Sequence, residues 1–377
     1  MSEAGAKAVM GGVQPARPAT RWRGVETATL PVIAMPFEAV PAPGQAVEVA
    51  EGILWARMPL PMKLDHVNLF AIDEGTGWTL IDTGLNWARG REALDALLSG
   101  PLAGKPVERV VLTHHHPDHI GLAGMFAARG AEILASRIAW LTGRMLTLDP
   151  QERPNAQQIA FRRRAGVTGA ALDAYATERP FNFADCVAPI PLGFSALEEG
   201  DVLEAGGRRW QVRLGEGHAP AHVTLWSEDG TLVLAGDQIL SSISPNIGVY
   251  PTEPEADPLG GWLESCGRFE SMLGESGLDP LVLPGHHPPF RGGQRRLRQL
   301  IENHEHALER ILAALASAPC TASGLFDPLY RRPIGGSEFG LALIEAVAHV
   351  NHLHRRELIR PEDRRDGTRV WHIAQTA

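Results

Sequence analysis

Six residues, His114 to His119, hold four side chains able to grip a metal ion: His114, His116, Asp118 and His119, in the order His-x-His-x-Asp-His. Imidazole nitrogen and carboxylate oxygen are the donors that suit zinc and its first-row neighbours. Packed so tightly in sequence, four such groups do not converge comfortably on one ion. They read better as halves of two adjacent sites, His114 with His116 and Asp118 with His119. Two cations about 3.5–4 Å apart are a known device for hydrolysis. Further along, Gly217-His218, Gly236-Asp237 and Gly285-His286 each place a ligand-type residue just beyond a strand-like run. The set then counts five imidazoles and two carboxylates. It divides into His114, His116 and His218 on one ion, Asp118, His119 and His286 on the other, and Asp237 as the bridge.

Such residues need rigid supports. Ile53–Arg57, Val67–Ile72 and Trp78–Ile81 read as strands, the last ending in Asp82-Thr83-Gly84. Residues 87–98 fit a helix stopped by Gly100-Pro101. Val107–Thr113 reads as a strand leading straight into the histidine cluster. A single helix is expected from Pro117, with Ile120, Leu122, Met125 and Phe126 on its apolar side and Gly130 near its end. Residues 136–185 are less regular and look helical. Arg208–Leu214, Val223–Trp226, Thr231–Ala235 and Leu281–Leu283 return to strands, with a Glu228-Asp229-Gly230 hairpin turn. Strand ends on a rigid sheet hold functional groups more firmly than mobile loops do. Then come an amphipathic helix over 295–316, helical stretches near 321–330 and 337–354, and two strand runs around Asp366-Gly367.

Bulk properties narrow the classes. The chain has 377 residues, 44% hydrophobic and 21% charged, which is ordinary for a globular protein with a substantial core. A net charge of −9 and a pI of about 5.9 disfavour nucleic acid as the main partner. Cys186, Cys266 and Cys320 are odd in number and far apart, which predicts reduced thiols and no disulfide framework. Residues 1–30 include Arg17, Arg21 and Arg23 but no apolar signal core. No run approaches the ~20 apolar residues of a membrane span. The expectation is a soluble cytoplasmic protein. Three parts are expected: a Pro/Ala-rich arm over 1–45, a catalytic body over 46–295 and a smaller C-terminal piece over 296–377.

The cluster at 114–119, the Ile81-Asp82-Thr83-Gly84 turn and the three glycine-led motifs occur in an order that makes residues 46–290 resemble the metallo-β-lactamase-fold hydrolases. The resemblance implies an α/β fold, an αββα sandwich with the metals on one edge between two sheets, and Asp82 beside a ligand histidine. The best-known zinc β-lactamases carry Cys where Asp237 stands. An Asp there resembles the glyoxalase II, lactonase and ribonuclease Z branches, so β-lactam cleavage is not the expected role. Residues 296–377 are similar to the winged-helix extension of one branch, some of whose members cut single-stranded RNA. Here a small helical, winged-helix-like packing or dimerisation module is expected, because acidic residues are mixed among Arg295, Arg296, Arg298, Arg355, Arg356, Arg364 and Arg365.

These readings predict a dinuclear metal-dependent hydrolase using a metal-bridging hydroxide on a small ester, thioester or lactone. The alternative is a phosphodiesterase or endoribonuclease acting on single-stranded RNA. The cofactor is two divalent ions, zinc first, with iron or manganese as alternatives. Asp118 orients the attacking water and shuttles its proton, and Asp82 fixes a ligand tautomer. A small-molecule partner, no membrane and a homodimer complete the expectation. His116 counts against the di-iron redox branch, which often carries Glu at that place. Among remaining candidates, Asn246 and Tyr250 follow Asp237 closely enough to face substrate, and His222 can reach in one turn after His218. His115 is expected to point away, and His287 to be exposed. His66 stays unassigned. His304, His306, His349, His352 and His354 are read as surface or capping residues. Arg162-Arg163-Arg164 is a solvated helix face or a basic lip for an acidic substrate.

Overall fold

Alternation decides which layer each strand serves. In the computed structural model, which describes residues 30–374, β1 (Ala46–Ala50), β2 (Ile53–Pro59), β3 (His66–Asp73), β4 (Trp78–Ile81), β5 (Val107–Leu112), β6 (Glu132–Ala135) and β7 (Ser195–Ala196) form one sheet in that order. Its first four strands pair antiparallel and the rest parallel. A second sheet runs β12 (Leu281–Pro284), β11 (Leu232–Gly236), β10 (His222–Ser227), β9 (Arg208–Gly215), β8 (Val202–Ala205), antiparallel except for β11 beside β12. Phe70, Ile72 and Val111 of the first sheet meet Trp210, Val212, Leu234 and Leu283 of the second in a buried inter-sheet core.

The opposite faces are apolar too. Val67, Leu69, Val110 and Leu112 pack under α1 (Ala88–Ser99), α2 (Pro117–Ile120), α3 (Ala123–Ala127) and α4 (Arg137–Leu148). Strands buried on both faces read as continuous apolar runs, as Leu281-Val282-Leu283 does. On the far side, Val233, Ala235 and Val282 pack against α7 (Pro258–Ser276) and α8 (Gly293–Ser317). The order of layers is therefore helix, sheet, sheet, helix. The same outer core takes in α5 (Ala156–Arg164), α6 (Gly169–Thr177), α9 (Phe326–Tyr330), α10 (Phe339–Arg355) and the hairpin of β13 (Ile359–Asp363) with β14 (Arg369–Ile373). The residue 295/296 boundary falls inside α8.

Strands β1, β6, β7 and β8 have no counterpart in the sequence reading, and two further differences have a physical reason. The helix from Pro117 is broken between α2 and α3, because Thr83 inserts into it. Thr83 Oγ1 donates to His119 O (2.7 Å) and accepts from Leu122 N (3.1 Å), taking the two groups the next helical turn would use. Helix α7 has no counterpart in the sequence reading, although Asp257 caps it through Gly260 N (2.9 Å), Pro258 opens it and Gly277 closes it at φ 65°. Its internal glycines hide the apolar periodicity.

Of the arm expected over 1–45, residues 1–29, with Arg17, Arg21 and Arg23, lie outside the described residues. Residues 30–45 lie along the body, where Ala34 and Arg291 exchange backbone hydrogen bonds (3.3 and 2.8 Å) and Phe37 meets the edge of Trp55. Among the described residues no helix is long and apolar enough to cross a membrane.

Candidate metal centre

Every residue of the expected ligand set stands just past the end of a strand, His114 to His119 after β5, His218 after β9, Asp237 after β11 and His286 after β12, and Asp82, which orients a ligand, follows β4. Cross-sheet bonds pin these ends together. Val223 N donates to Thr113 O (2.7 Å) and Asn68 N to Gly285 O (2.6 Å). The Asn68 amide donates to Pro284 O and His287 O (both 2.7 Å). Close backbone approach demands glycine at two turns. At Gly217 (φ 106°) a Cβ would lie 2.4 Å from that of Trp262 on α7; at Gly285 it would lie 2.2 Å from Asp237 Oδ1.

The seven side chains converge. His114, His116 and His218 offer atoms all within 4.8 Å of one another, as do Asp118, His119 and His286, and as do His114, His119 and Asp237. Asp237 stands between the first two groups, with Oδ2 3.3 Å from both His218 Nε2 and His286 Nε2 and Oδ1 3.5 Å from His119 Nε2. Asp118 Oδ2 is 3.3 Å from His286 Nε2.

The outer Nδ1 atoms of His114, His119, His218 and His286 are spoken for. His119 Nδ1 donates to Asp82 Oδ2 (2.7 Å), His218 Nδ1 to Asn246 O (2.9 Å), and His286 Nδ1 to His66 O (2.7 Å). His114 Nδ1 meets Thr113 Oγ1 (3.0 Å), which itself donates to Asp82 Oδ2 (2.8 Å). Asp82 also accepts from Thr113 N (2.8 Å) and holds φ at 62°, a strained value for a non-glycine residue. Outer partners of this kind orient metal-binding imidazoles.

The inner nitrogens are left facing one another. His116 Nδ1 lies 3.0 Å from both His114 Nε2 and His218 Nε2. Buried His119 Nε2 and Asp237 Oδ1 have no hydrogen-bond partner. Tetrahedral bonds of about 2.0–2.1 Å put neighbouring donor atoms about 3.3 Å apart. Inward lone pairs at this spacing, with the outer nitrogens of four of the five imidazoles engaged, fit divalent cations.

Comparison with known proteins agrees with this geometry. The Metallo-beta-lactamase superfamily profile matches residues 62–313, more than half of the chain. The chain belongs to the metallo-β-lactamase superfamily. A second profile, the metallo-beta-lactamase-like C-terminal domain, matches residues 308–373. The probable metallo-hydrolase YqjP of Bacillus subtilis (strain 168) is 27% identical over 82% of this chain and 94% of its own length. The acyl-coenzyme A thioesterase MBLAC2 of Gallus gallus is 26% identical over 68% of this chain and 84% of its own. A solved beta-lactamase domain protein from Burkholderia ambifaria superposes with a TM-score of 0.79 at 34% identity, covering 91% of this chain and 97% of its own. With these relatives the chain is a metallo-hydrolase of the superfamily, carrying His/Asp clusters suited to divalent metal.

Other residues of this metallo-β-lactamase-superfamily chain lie where sequence reasoning did not put them. His222 stacks on His114 (ring centroids 4.6 Å) and accepts from Asp237 N (3.1 Å), so it supports two members of the cluster and adds no inward lone pair. His115, expected to point away, is buried and stacked near Phe183 and belongs to none of the ligand groups, which does not depart from that reading. His287 is only half-buried, at φ 65°, and its N–H donates to His66 Nε2 (3.0 Å). Asn246 does not turn its side chain to the cleft. Its amide donates to Glu345 Oε2 (2.8 Å) and Leu341 O (3.2 Å). Arg162 stacks on Tyr175 and Arg164 pairs with Glu255, while Arg163 is exposed, so two of the three are engaged against neighbours. His304, His349 and His352 are buried, not on the surface. Only His306 and His354 are exposed. Sequence reasoning gives Thr113 no role and leaves Asn68, close to His66 and able to approach the metals, unassigned. A polar residue inside an otherwise apolar strand, as at Asn68, was the available signal.

Burial keeps His114 and His116 well below the ordinary imidazole range, their histidine neighbours adding to the effect. Burial also pushes His286 down, but Asp237 and Asp118 outweigh it and hold it at about 10. His119 is raised in the same way by Asp237, Asp118 and Asp82. In the metal-free chain the protonated His286 stabilises the fold fully below about pH 6.5, and that contribution is lost as pH rises through about 10; His119 contributes with the same sign. A cation must displace the same protons. Apparent zinc affinity is therefore expected to climb between pH 6.5 and 10, by about tenfold per unit for each proton released. Competition against a chromophoric chelator measures it, and a flat profile would contradict this charge assignment.

Proposed function

We propose that the chain is a dinuclear metal-dependent hydrolase of a small thioester, ester or lactone, with thioesters first. The observation that carries the reading is Asp237, whose carboxylate faces both the His114–His116–His218 group and the Asp118–His119–His286 group. These seven residues would hold the pair, with Asp237 between. The donor set is imidazole and carboxylate with no thiolate, which suits zinc, with iron or manganese as alternatives. When bound, such cations supply Lewis acidity that makes a hydroxide nucleophile available near neutral pH and draws off charge developing on a carbonyl oxygen.

The chain's own groups divide the remaining work. The Asp118 side chain is 18% exposed against 7% for Asp237 and 3% for His286, so it is the carboxylate best placed to meet incoming molecules. Its carboxylate takes a proton from the attacking water and passes it to the leaving group. Asp82, Thr113, Asn246 O and His66 O keep the imidazoles aimed inward. Thioesters come first because relatives covering most of this chain are named acyl-coenzyme A thioesterases.

The RNA alternative needs free cations on the C-terminal helices. Arg296 donates to Leu240 O and Ile243 O, Arg298 to Glu270, Arg356 to Glu305, and Arg295 to Leu30 O and Pro31 O. Those four guanidiniums are held by protein partners, while Arg355, Arg364 and Arg365 are exposed, so most of the basic run serves packing. At matched metal loading, an acyl-thioester is expected to be cleaved faster than a lactone, bis-p-nitrophenyl phosphate or single-stranded RNA, with a rate nearly flat between 50 and about 200 mM salt. Fastest turnover of RNA, falling steeply with salt, would reverse the choice.

A further inference from the structure

Outside the centre above, three ligand-type side chains meet between α8 and α10. His304, Glu345 and His349 offer atoms all within 4.8 Å of one another. Glu345 and His349 stand one turn apart on α10, while His304 lies more than forty residues earlier on α8 and is brought to them only by helix packing. His349 is fully buried and His304 nearly so, at 5% exposure.

Their outer atoms are engaged in the pattern seen at the principal centre. His349 Nδ1 donates to Glu345 O (2.8 Å), which leaves Nε2 with its lone pair. Glu345 Oε2 accepts from Asn246 Nδ2 (2.8 Å) and Tyr330 OH (3.0 Å), leaving Oε1 free of either. His304 Nε2 lies 3.3 Å from Ser244 Oγ, which can place its own proton on Pro245 O (3.4 Å) and accept from the imidazole. In that arrangement His304 Nδ1 and His349 Nε2 are two lone pairs facing at 3.3 Å with no proton between them. That separation is the edge of a tetrahedron built on bonds of about 2.0–2.1 Å.

We infer that His304 Nδ1, His349 Nε2 and the Glu345 carboxylate form a separate binding site for one divalent cation of the zinc type, which ties α8 to α10. Two nitrogens and one carboxylate are a known donor set for zinc, the fourth position going to water. The electrostatics agree. Burial keeps His304 at about 3 and His349 at about 4, so both are neutral donors. Burial raises the Glu345 carboxyl to about 7 against the hydrogen bonds from Tyr330 and Asn246. Among the described residues no Lys or Arg forms an ion pair with Glu345, and a cation would supply the missing charge. The competing arrangement is a plain hydrogen-bond chain in which His304 Nδ1–H donates to His349 and Ser244 Oγ donates to His304. It needs no metal. The site also reaches the principal centre, because Asn246 contacts Glu345 through its amide and His218 through its carbonyl.

The inference does not rest on the reading of the principal centre, and its test keeps the two apart. The full chain is equilibrated with Zn(II), freed of excess and assayed for zinc per chain by plasma mass spectrometry. The variants His349→Gln and Glu345→Gln are each expected to lose one equivalent relative to the parent. His116→Ala reports the principal centre separately. An unchanged count in both His349→Gln and Glu345→Gln would overturn the site. Should neither variant fold, zinc-edge anomalous scattering from crystals of the parent decides. A peak about 2.0–2.1 Å from His304 Nδ1 and His349 Nε2 is expected, and no peak there, with zinc present elsewhere in the same crystal, would leave only the hydrogen-bond chain.

Discussion

Asp118→Asn is expected to lower kcat by roughly 10²–10⁴-fold, the range for losing a positioned acid–base group. The substitution keeps the shape and removes the basic oxygen. The Asp118 side chain is partly exposed, and its Oδ2 lies 3.3 Å from His286 Nε2 and 3.6 Å from His119 Nε2. Neither α2 nor the β5 end depends on it for packing, so any fall in melting temperature should be limited to the share Asp118 takes in holding His119 and His286 charged. Because Asp118 also belongs to the proposed ligand set, zinc must be counted in the variant and the rate given per loaded chain. Full turnover in a loaded Asp118→Asn protein would remove Asp118 from the chemistry.

Asp82→Ala is expected to act on both stability and metal. Asp82 never faces the cleft. It is buried and accepts from Thr113 N, Thr113 Oγ1 and His119 Nδ1 at 2.7–2.8 Å. Alanine would strand those donors, each away from water. Leaving buried polar groups without partners costs about 1–3 kcal/mol apiece, and breaking a buried charge pair costs about 3–5 kcal/mol. A loss of about 3–5 kcal/mol in chemical denaturation is expected. Freed from Asp82, His119 also loses its orientation, and zinc affinity should fall by about 10–100-fold. Asp82→Asn tolerates the left-handed backbone at this residue better and should lie between the two. A variant within 1 kcal/mol of the parent (about a fivefold change in the folding equilibrium) and with unchanged zinc affinity would show that Asp82 positions nothing.

What the sequence could disclose follows from where the chemistry lies along the chain. Ligand types crowded into His114–His119, and single ligand types standing after apolar runs at His218, Asp237 and His286, are local patterns, visible without the fold. The runs themselves betray doubly buried strands, because both faces are covered. Long-range effects were illegible. The break between α2 and α3 depends on Thr83, which approaches from another strand end. Helix α7 is held against Gly217 and the second sheet, while its own glycines blur the apolar stripe. His304 and His349 sit on helices whose spacing suggests solvent, and only the packing of α8 on α10 buries them. Asn246 looked free because the Glu345 that holds its amide is about a hundred residues away.

The central claim is that Asp237 lies between two cations. The X-ray absorption spectrum of the zinc-loaded chain, recorded at the zinc edge, tests it most directly. A nitrogen and oxygen shell at about 2.0–2.1 Å with a metal–metal path of about 3.5–4 Å, lost in Asp237→Ala, is the predicted result. A spectrum with no metal–metal path at full zinc loading would contradict the account.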